Sequence, residues 1–442
     1  MFPRALLCFL LPCLAGGLVA FVWTPLDRHQ TEEYFELAQA PPGAESSLFR
    51  PPGYVAFLRG VGELSGGLSE GKYAPVYLAQ GVLLGLAAVG FFLAAARWLP
   101  LSAASLLALA FGCHPLMVLL AGYVHYDLLH VTFLVWLSLA VMNALAGARP
   151  SLGWALAAGL LAGLTTLIRP MTLLFPAVLL LMLCWRRGPD GQRRWLAAVV
   201  CLAAMGLTVA PRTWENYQRT GRFIPVNAQS GSALWPMTET ALRPTSDNFP
   251  WVPLWSVHGV SLLEPKLGAD AKAPDVFFRR PLEVDDVLRA RARAQLAAQP
   301  GVYLNNVFHN FVFFWTGDSR QLVRAFLFYQ PAEHSPPPEN FSMRYFEILS
   351  AALHLLGAAG LVLAFWRRED SLCWLGAALL TLWLAHSLVY LDARYLYAEI
   401  PFLFWFSAYA LRASLPARWP RAEVAAGGLL AASFLGLVLV LI

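Results

Sequence analysis

Apolar runs of transmembrane length recur along this chain, and no other feature limits its fold so strongly. A helix crossing a bilayer needs about 20 mostly apolar residues. Eleven such runs can be traced: Ala5–Trp23, Ala74–Ala96, Leu101–Ala121, Leu128–Leu145, Leu152–Ile168, Met171–Trp185, Leu196–Ala210, Phe346–Trp366, Leu372–Leu391, Ala398–Leu411 and Val424–Ile442. The two around Arg169-Pro170 are short and read either as two spans or as one broken hairpin. The expectation is an all-α polytopic membrane protein of about eleven spans. Composition agrees, because only 13% of the residues are charged, against about 25% in a soluble domain. No basic stripe suited to nucleic acid is present.

Charge placement orients the runs. Arg4, Arg97, Arg149, Arg186, Arg187, Arg193, Arg194, Arg367, Arg368, Arg412, Arg418 and Arg421 fall on one side of an eleven-span count. The positive-inside rule makes that side cytoplasmic. The opposite short connections hold only Arg169 and Arg394. The first run follows Arg4 and reads as an uncleaved span rather than a signal peptide. Three regions result: residues 1–211, transmembrane, with a first outer loop at 24–73; residues 212–345, an outward-facing mixed or helical loop region; and residues 346–442, transmembrane again. In the second loop a helix is expected from Glu283 to Gln299, with Asp285 and Asp286 early and Arg289, Arg291 and Arg293 later, the order a helix dipole favours. The aromatic stretch Val302–Trp315 is expected along the membrane surface.

The six cysteines lie in or beside apolar runs without CxxC spacing, so neither a disulfide framework nor a zinc site is indicated. His114, His354 and His386 read as core histidines. Polar chemistry gathers at the outer ends of the runs. Asp27, Glu32 and Glu33 follow the first span, and a carboxylate at the membrane surface can serve as a general base; solvated acids on a short helix are the plain alternative. Asp127, in His125-Tyr126-Asp127, is either a helix N-cap or a second acidic site residue. Arg169 and Arg394 are cations at the membrane boundary, where a charge faces a cavity or partner, or snorkels to water. No internal repeat is visible, which counts against a transporter built from inverted halves.

Four segments, in order, resemble elements of the bacterial GT-C glycosyltransferases, which include protein O-mannosyltransferases and lipid A aminoarabinose transferases. Arg50-Pro51-Pro52-Gly53-Tyr54 resembles an "RPPGYP" stretch. Leu164–Pro170 matches "LTxLxRP". Pro211–Trp235 follows "PWxxRNYxxxGxFVxVxxxxGxxLW", and Asp392-Ala393-Arg394-Tyr395 resembles a late "RY…P" element completed by Pro401. Two departures stand out. Gln30 takes the place of an acidic residue four positions before the family's Tyr, here Tyr34. Arg212 falls where the family has Trp and Glu215 where it has Arg, while Asn216 is retained.

The resemblance implies transfer of a hexosyl or pentosyl group from a polyprenyl-phosphate carrier to a lipid, glycan or protein acceptor. It implies a multi-pass protein of a bacterial inner membrane, embedded among membrane lipids, with its site on the periplasmic face. Asp27, Glu32, Glu33 and Asp127 become candidate catalytic acids. Arg50, Tyr54, Arg169, Arg212, Asn216, Arg394 and Tyr395 become candidate substrate-binding residues. No cofactor is assigned, and a divalent cation is left open. A secondary transporter or flippase, or a polysaccharide polymerase or ligase, is the alternative; the acidic first loop favours the transferase.

Overall fold

The computed structural model describes residues 1–22, 28–41, 43–68, 73–145, 150–185, 191–239, 257–273, 276–316, 341–389, 397–415 and 420–441. Every regular element among them is helical. The apolar runs appear as the helices Phe2–Val22, Ala74–Ala95, Leu101–Gly112 with Pro115–Ala121, Asp127–Leu145, Leu152–Ile168, Phe175–Trp185, Gly191–Thr220, Phe341–Trp366, Asp370–Leu388, Ile400–Ser414 and Arg421–Leu441.

Six helices among the described residues are long and apolar enough to cross a membrane, and seven if one bent pair counts as a single span. The eleven-span count is therefore not established by length and composition. Several runs are simply too short. Leu152–Ile168 has 17 residues and Ile400–Ser414 has 15, roughly 25 Å and 22 Å at 1.5 Å per residue, against about 30 Å of hydrocarbon.

Two runs are interrupted for the same local reason. Leu101–Gly112 and Pro115–Ala121 meet at 57°, and the pre-proline residue His114 is extended, with φ −62° and ψ 132°. Arg169, before Pro170, is extended as well, with φ −150° and ψ 116°. A proline ring disfavours the helical conformation in the preceding residue, and at these two X-Pro pairs one helix ends and another starts. After Arg169 the chain makes a 3₁₀ turn, Pro170–Leu174, before Phe175–Trp185.

Gly191–Thr220 runs much further than the apolar stretch within it. Its 30 residues extend about 45 Å, so roughly 15 Å projects beyond the hydrocarbon. That projecting end carries Arg212, Asn216 and Arg219 into the loop region. The described part of the second loop is helical: Ser230–Leu234, Val257–Leu267, Val276–Arg279, Pro281–Ala298 and Pro300–Thr316. It has its own small core around Trp235, Phe277, Leu263, Val284 and Leu288. Pro300–Thr316 leaves Leu304, Phe308, Phe311 and Val312 exposed, spaced as one helix face. Phe311 stacks on Trp383 at 4.0 Å, and the Tyr303 hydroxyl donates to the Leu388 carbonyl. The loop region is thereby tied to Asp370–Leu388.

Asp127–Leu145 is the innermost spanning helix, 83% of its apolar window being buried, whereas the window of Phe2–Ala20 is only 22% buried at the bundle's edge. The polar residues at the start of Asp127–Leu145 thus sit near the middle of the helix assembly. A separate cleft of about 630 Å³ lies between the first helix, Leu101–Gly112 and the last helix, lined by Leu11, Leu14, Leu18, Leu109, Cys113 and Phe434. Its lining carries no charged group.

Candidate functional site

Asp127 opens its helix with 2% of its surface exposed. His125 Nδ1 lies 2.8 Å from Asp127 Oδ2. Arg169 Nη1 lies 3.6 Å from Asp127 Oδ1, and the Arg169 guanidinium sits over the Tyr126 ring at 5.5 Å. The oppositely charged groups attract, but 3.6 Å is beyond hydrogen-bond distance. Pro170 makes this meeting possible: by ending the preceding helix at Arg169, it turns that side chain toward the start of Asp127–Leu145. The resemblance to the "RP" element and the acid of His125-Tyr126-Asp127 therefore converge on one place.

The first loop is built around this point. Gly53 packs against Ile168, where a Cβ would come within 2.7 Å of the Ile168 side chain and 2.9 Å of its backbone nitrogen; only glycine lets the start of Pro52–Ser65 approach the Arg169 turn so closely. Tyr54 is then fixed. Its hydroxyl donates to Gln80 Oε1 at 3.1 Å, and Gln80 Nε2 donates to the carbonyls of Ala121 and Tyr123, each at 3.0 Å. The fully buried Gln80 thus braces the segment leading into Asp127. Tyr34 meets Tyr54 edge-on at 5.1 Å and His125 at 5.6 Å. Burial pushes the Tyr34 hydroxyl well above the ordinary phenol value, against the opposing pull of Arg50. Burial, with the Asp127 carboxylate nearby, does the same to Tyr54. Both hydroxyls stay protonated.

Glu33 and Arg50 do not face Asp127 as free groups. Arg50 Nε and Nη2 both donate to the Glu33 carboxylate, the second at 3.0 Å, and each residue is 8% exposed. The guanidinium lies over Phe49 at 4.9 Å and Tyr34 at 5.5 Å. Glu32 is partly buried on the same helix.

Arg212 and Asn216 occupy a different place. Arg212 donates to the carbonyls of Ser47 at 2.6 Å and Val226 at 3.3 Å and to the Glu215 carboxylate at 2.9 Å. Asn216 Nδ2 donates to the carbonyls of Ile224 and Val226 at 2.9 and 3.0 Å. Arg219 reaches the carbonyls of Gly43 and Ala44. This stretch clasps the first loop to the turn after Gly191–Thr220. Further on, the Asp285 carboxylate accepts from Gly231 N at 2.5 Å and from the Ser230 hydroxyl. A Cβ on Gly231 would lie 2.3 Å from the Asp285 carbonyl, so the family-like glycine here is a packing requirement.

Asp27, Arg394 and Tyr395 lie outside the described residues. Sequence reasoning left His130 unremarked and read His386 as a core histidine, and both lie near Asp127. His130, one turn along the same helix, and His386, near the end of Asp370–Leu388, are both within electrostatic reach of Arg169 and Asp127. A histidine inside an apolar run carries no signal of its own, and the three segments meet only in the fold. Among the described residues, no group of three His, Cys, Asp or Glu side chains is arranged to hold a metal ion.

No protein-family model matches the chain, and no curated protein does. Solved structures do. The oligosaccharyltransferase AglB of the archaeon Archaeoglobus fulgidus, in complex with an inhibitory peptide and a dolichol-phosphate, aligns with a TM-score of 0.57 at 15% identity, over 98% of this chain and 55% of that one. The same oligosaccharyltransferase in complex with zinc and sulfate gives 0.52 at 15% identity, over 97% and 53%. ArnT from Cupriavidus metallidurans aligns at 0.38 and 15% identity, over 90% and 78%. The chain spans about half the length of the oligosaccharyltransferase. Over nearly its whole length the chain shares the fold of that oligosaccharyltransferase.

Proposed function

We propose that the chain is a GT-C glycosyltransferase that moves a hexosyl or pentosyl group from a polyprenyl-phosphate carrier to a lipid, glycan or protein acceptor at the outer membrane face. The observation that carries this reading is the Asp127–Arg169 pair. An acid and a cation, both nearly inaccessible to water, are held 3.6 Å apart where helices of the bundle end.

The chemistry of the transfer needs both groups. The acceptor oxygen bonds to the anomeric carbon as the bond from that carbon to the phosphate oxygen breaks. The acceptor proton passes to a carboxylate, and the carrier leaves as a phosphate monoester with one more negative charge. Arg169 stabilises that charge by charge-assisted hydrogen bonding, which is strongest where water is excluded. Arg394, as the second outer-side cation, is assigned the same task. Among the described acids we assign the base to Asp127, which lies beside Arg169, while Glu33 is held bidentately by Arg50. Asp27, closest in sequence to the end of the first span, and Glu32 remain candidates for the same role. A single displacement inverts the anomeric configuration. The segment 212–345 shapes the acceptor side, with Arg212 and Asn216 holding the loops rather than touching substrate.

The arginine asymmetry supports an inside N-terminus, with this end of the bundle on the outer, periplasmic face of a bacterial inner membrane. Labelling of a cysteine introduced at position 190 by an outside-only reagent would overturn that orientation. The functional reading is tested by incubating the purified protein in nanodiscs with radiolabelled polyprenyl-monophosphate sugars and a membrane extract as acceptor source. Label should move to acceptor, and Asp127→Asn and Arg169→Ala should each lower the rate by about 10²–10⁴. Unchanged rates in both variants would refute the site.

A further inference from the structure

His130 is 1% exposed, and neither ring nitrogen has a hydrogen-bond partner among the described residues. Burying an imidazole with nothing to bond is unfavourable. A folded chain retains such a group at a central position when something else satisfies it. The surroundings indicate what that is. His130 lies one helical turn from Asp127, about 4.5 Å further along the axis. Arg169 and Asp127 are its electrostatic neighbours. Asp370–Leu388 packs against both Asp127–Leu145 and the Pro170–Leu174 turn, and brings His386 to face the same three residues. Three segments far apart in sequence thus bring one guanidinium, two imidazoles and one carboxylate together inside the bundle.

We propose that His130, with Arg169, binds the phosphate group of a membrane-embedded lipid monophosphate, with His386 as the third member of the cluster. This rests on the glycosyltransferase reading and deepens it by naming residues that hold the carrier. An imidazole has at least one N–H in either protonation state, so it can donate to a phosphate oxygen. The depth fits a lipid-borne phosphate. The cluster begins at the start of Asp127–Leu145 and continues one turn inward, so a phosphate held there keeps its isoprenoid chain in hydrocarbon. Arg169 supplies the charge and His130 the direction. An Asp127 carboxylate at the helix start, repelled by the phosphate, stays on the acceptor side.

The test uses the full chain in nanodiscs and follows binding of a radiolabelled polyprenyl phosphate, which requires no turnover. His130→Leu should weaken binding at least tenfold while leaving the unfolding temperature unchanged or raised, because an unbonded buried ring has been replaced by an apolar one. His130→Gln, which keeps an N–H donor, should recover most of the affinity. Arg169→Ala should weaken binding at least as much as His130→Leu. Unchanged binding in His130→Leu with lost binding in Arg169→Ala would overturn the role of His130 and leave the glycosyltransferase reading intact. Unchanged binding in both would overturn the donor site itself. A lowered unfolding temperature with normal binding would make His130 structural and overturn the inference. Inorganic phosphate should not displace the lipid at millimolar concentration; displacement there would show a site for free phosphate and overturn the lipid assignment.

Discussion

Removing one half of the Glu33–Arg50 pair should be far more damaging than removing both. Each side chain is 8% exposed, and the two meet through both guanidinium edges with aromatic rings over Arg50. Arg50→Met leaves a buried carboxylate without its counter-charge, which costs about 3–5 kcal/mol. Glu33→Leu leaves the cation and should cost a similar amount. The double variant Glu33→Leu/Arg50→Met replaces the pair by apolar groups of similar volume, and such replacements are often close to neutral. A double-mutant cycle should therefore give a coupling of several kcal/mol, with opposite sign to the single losses. The assay is reversible unfolding in mixed micelles, with sugar transfer measured on the same preparations. If the pair is a brace, the double variant keeps transfer within about tenfold of the parent chain. A folded double variant that loses transfer 10²-fold or more would place Glu33 or Arg50 in the chemistry and refute the bracing argument. Coupling below about 1 kcal/mol would mean that the pair behaves as a solvated one.

Four further outcomes follow from the site's surroundings. Gly231→Ala should destabilise the loop region by more than about 1 kcal/mol, since its Cβ would collide with the Asp285 carbonyl at 2.3 Å; limited proteolysis of the loop reads this, and unaltered cleavage would contradict the packing. Asn216→Ala should cost about 1–3 kcal/mol by removing the hydrogen bonds to the Ile224 and Val226 carbonyls, the second of which keeps Arg212 as a donor, with carrier binding unchanged in a ligand titration; lost binding in a folded variant would return Asn216 to the substrate site. His125→Asn, which keeps a donor toward Asp127, should retain most transfer, whereas His125→Phe should lose it; equal loss in both would make the imidazole itself essential. Burial raises the Glu239 carboxyl, but hydrogen bonds from Gln295, Trp235 and Arg291 outweigh this and hold it below its ordinary value of 4.5. Its contribution is therefore complete above that value and is lost as pH falls through the lower, folded value. Proteolysis of the loop should rise on acidification more in the parent chain than in Glu239→Gln, and identical profiles would contradict the assignment.

The apolar runs were legible because burial in hydrocarbon demands long apolar stretches, and Arg169-Pro170 marked one break; the break at His114-Pro115 was not read, because Leu101–Ala121 reads as a single apolar run. Arg169 was legible for the same reason: a charge beside Pro170 between apolar runs has to face something. Other features were hidden by chemistry that looks alike in sequence. An arginine beside a family-like motif reads the same whether its donors meet a phosphate or a carbonyl, and Arg212 meets the carbonyls of Ser47 and Val226 because its helix continues beyond the apolar stretch. Glu33 looked like a free carboxylate because its partner Arg50 is seventeen positions away in a loop without periodicity. His386 read as a core residue because nothing local distinguishes a histidine satisfied by its own helix from one facing Arg169.

The carrier's position is the most direct measure of the account. An experimental density map of the protein in nanodiscs with a polyprenyl phosphate should place the phosphate within hydrogen-bond distance of Arg169 and beside Asp127, with the chain leaving toward the lipid. A phosphate found elsewhere, for instance with its chain in the apolar cleft between Leu14, Cys113 and Phe434 and its head remote from Arg169, would contradict it.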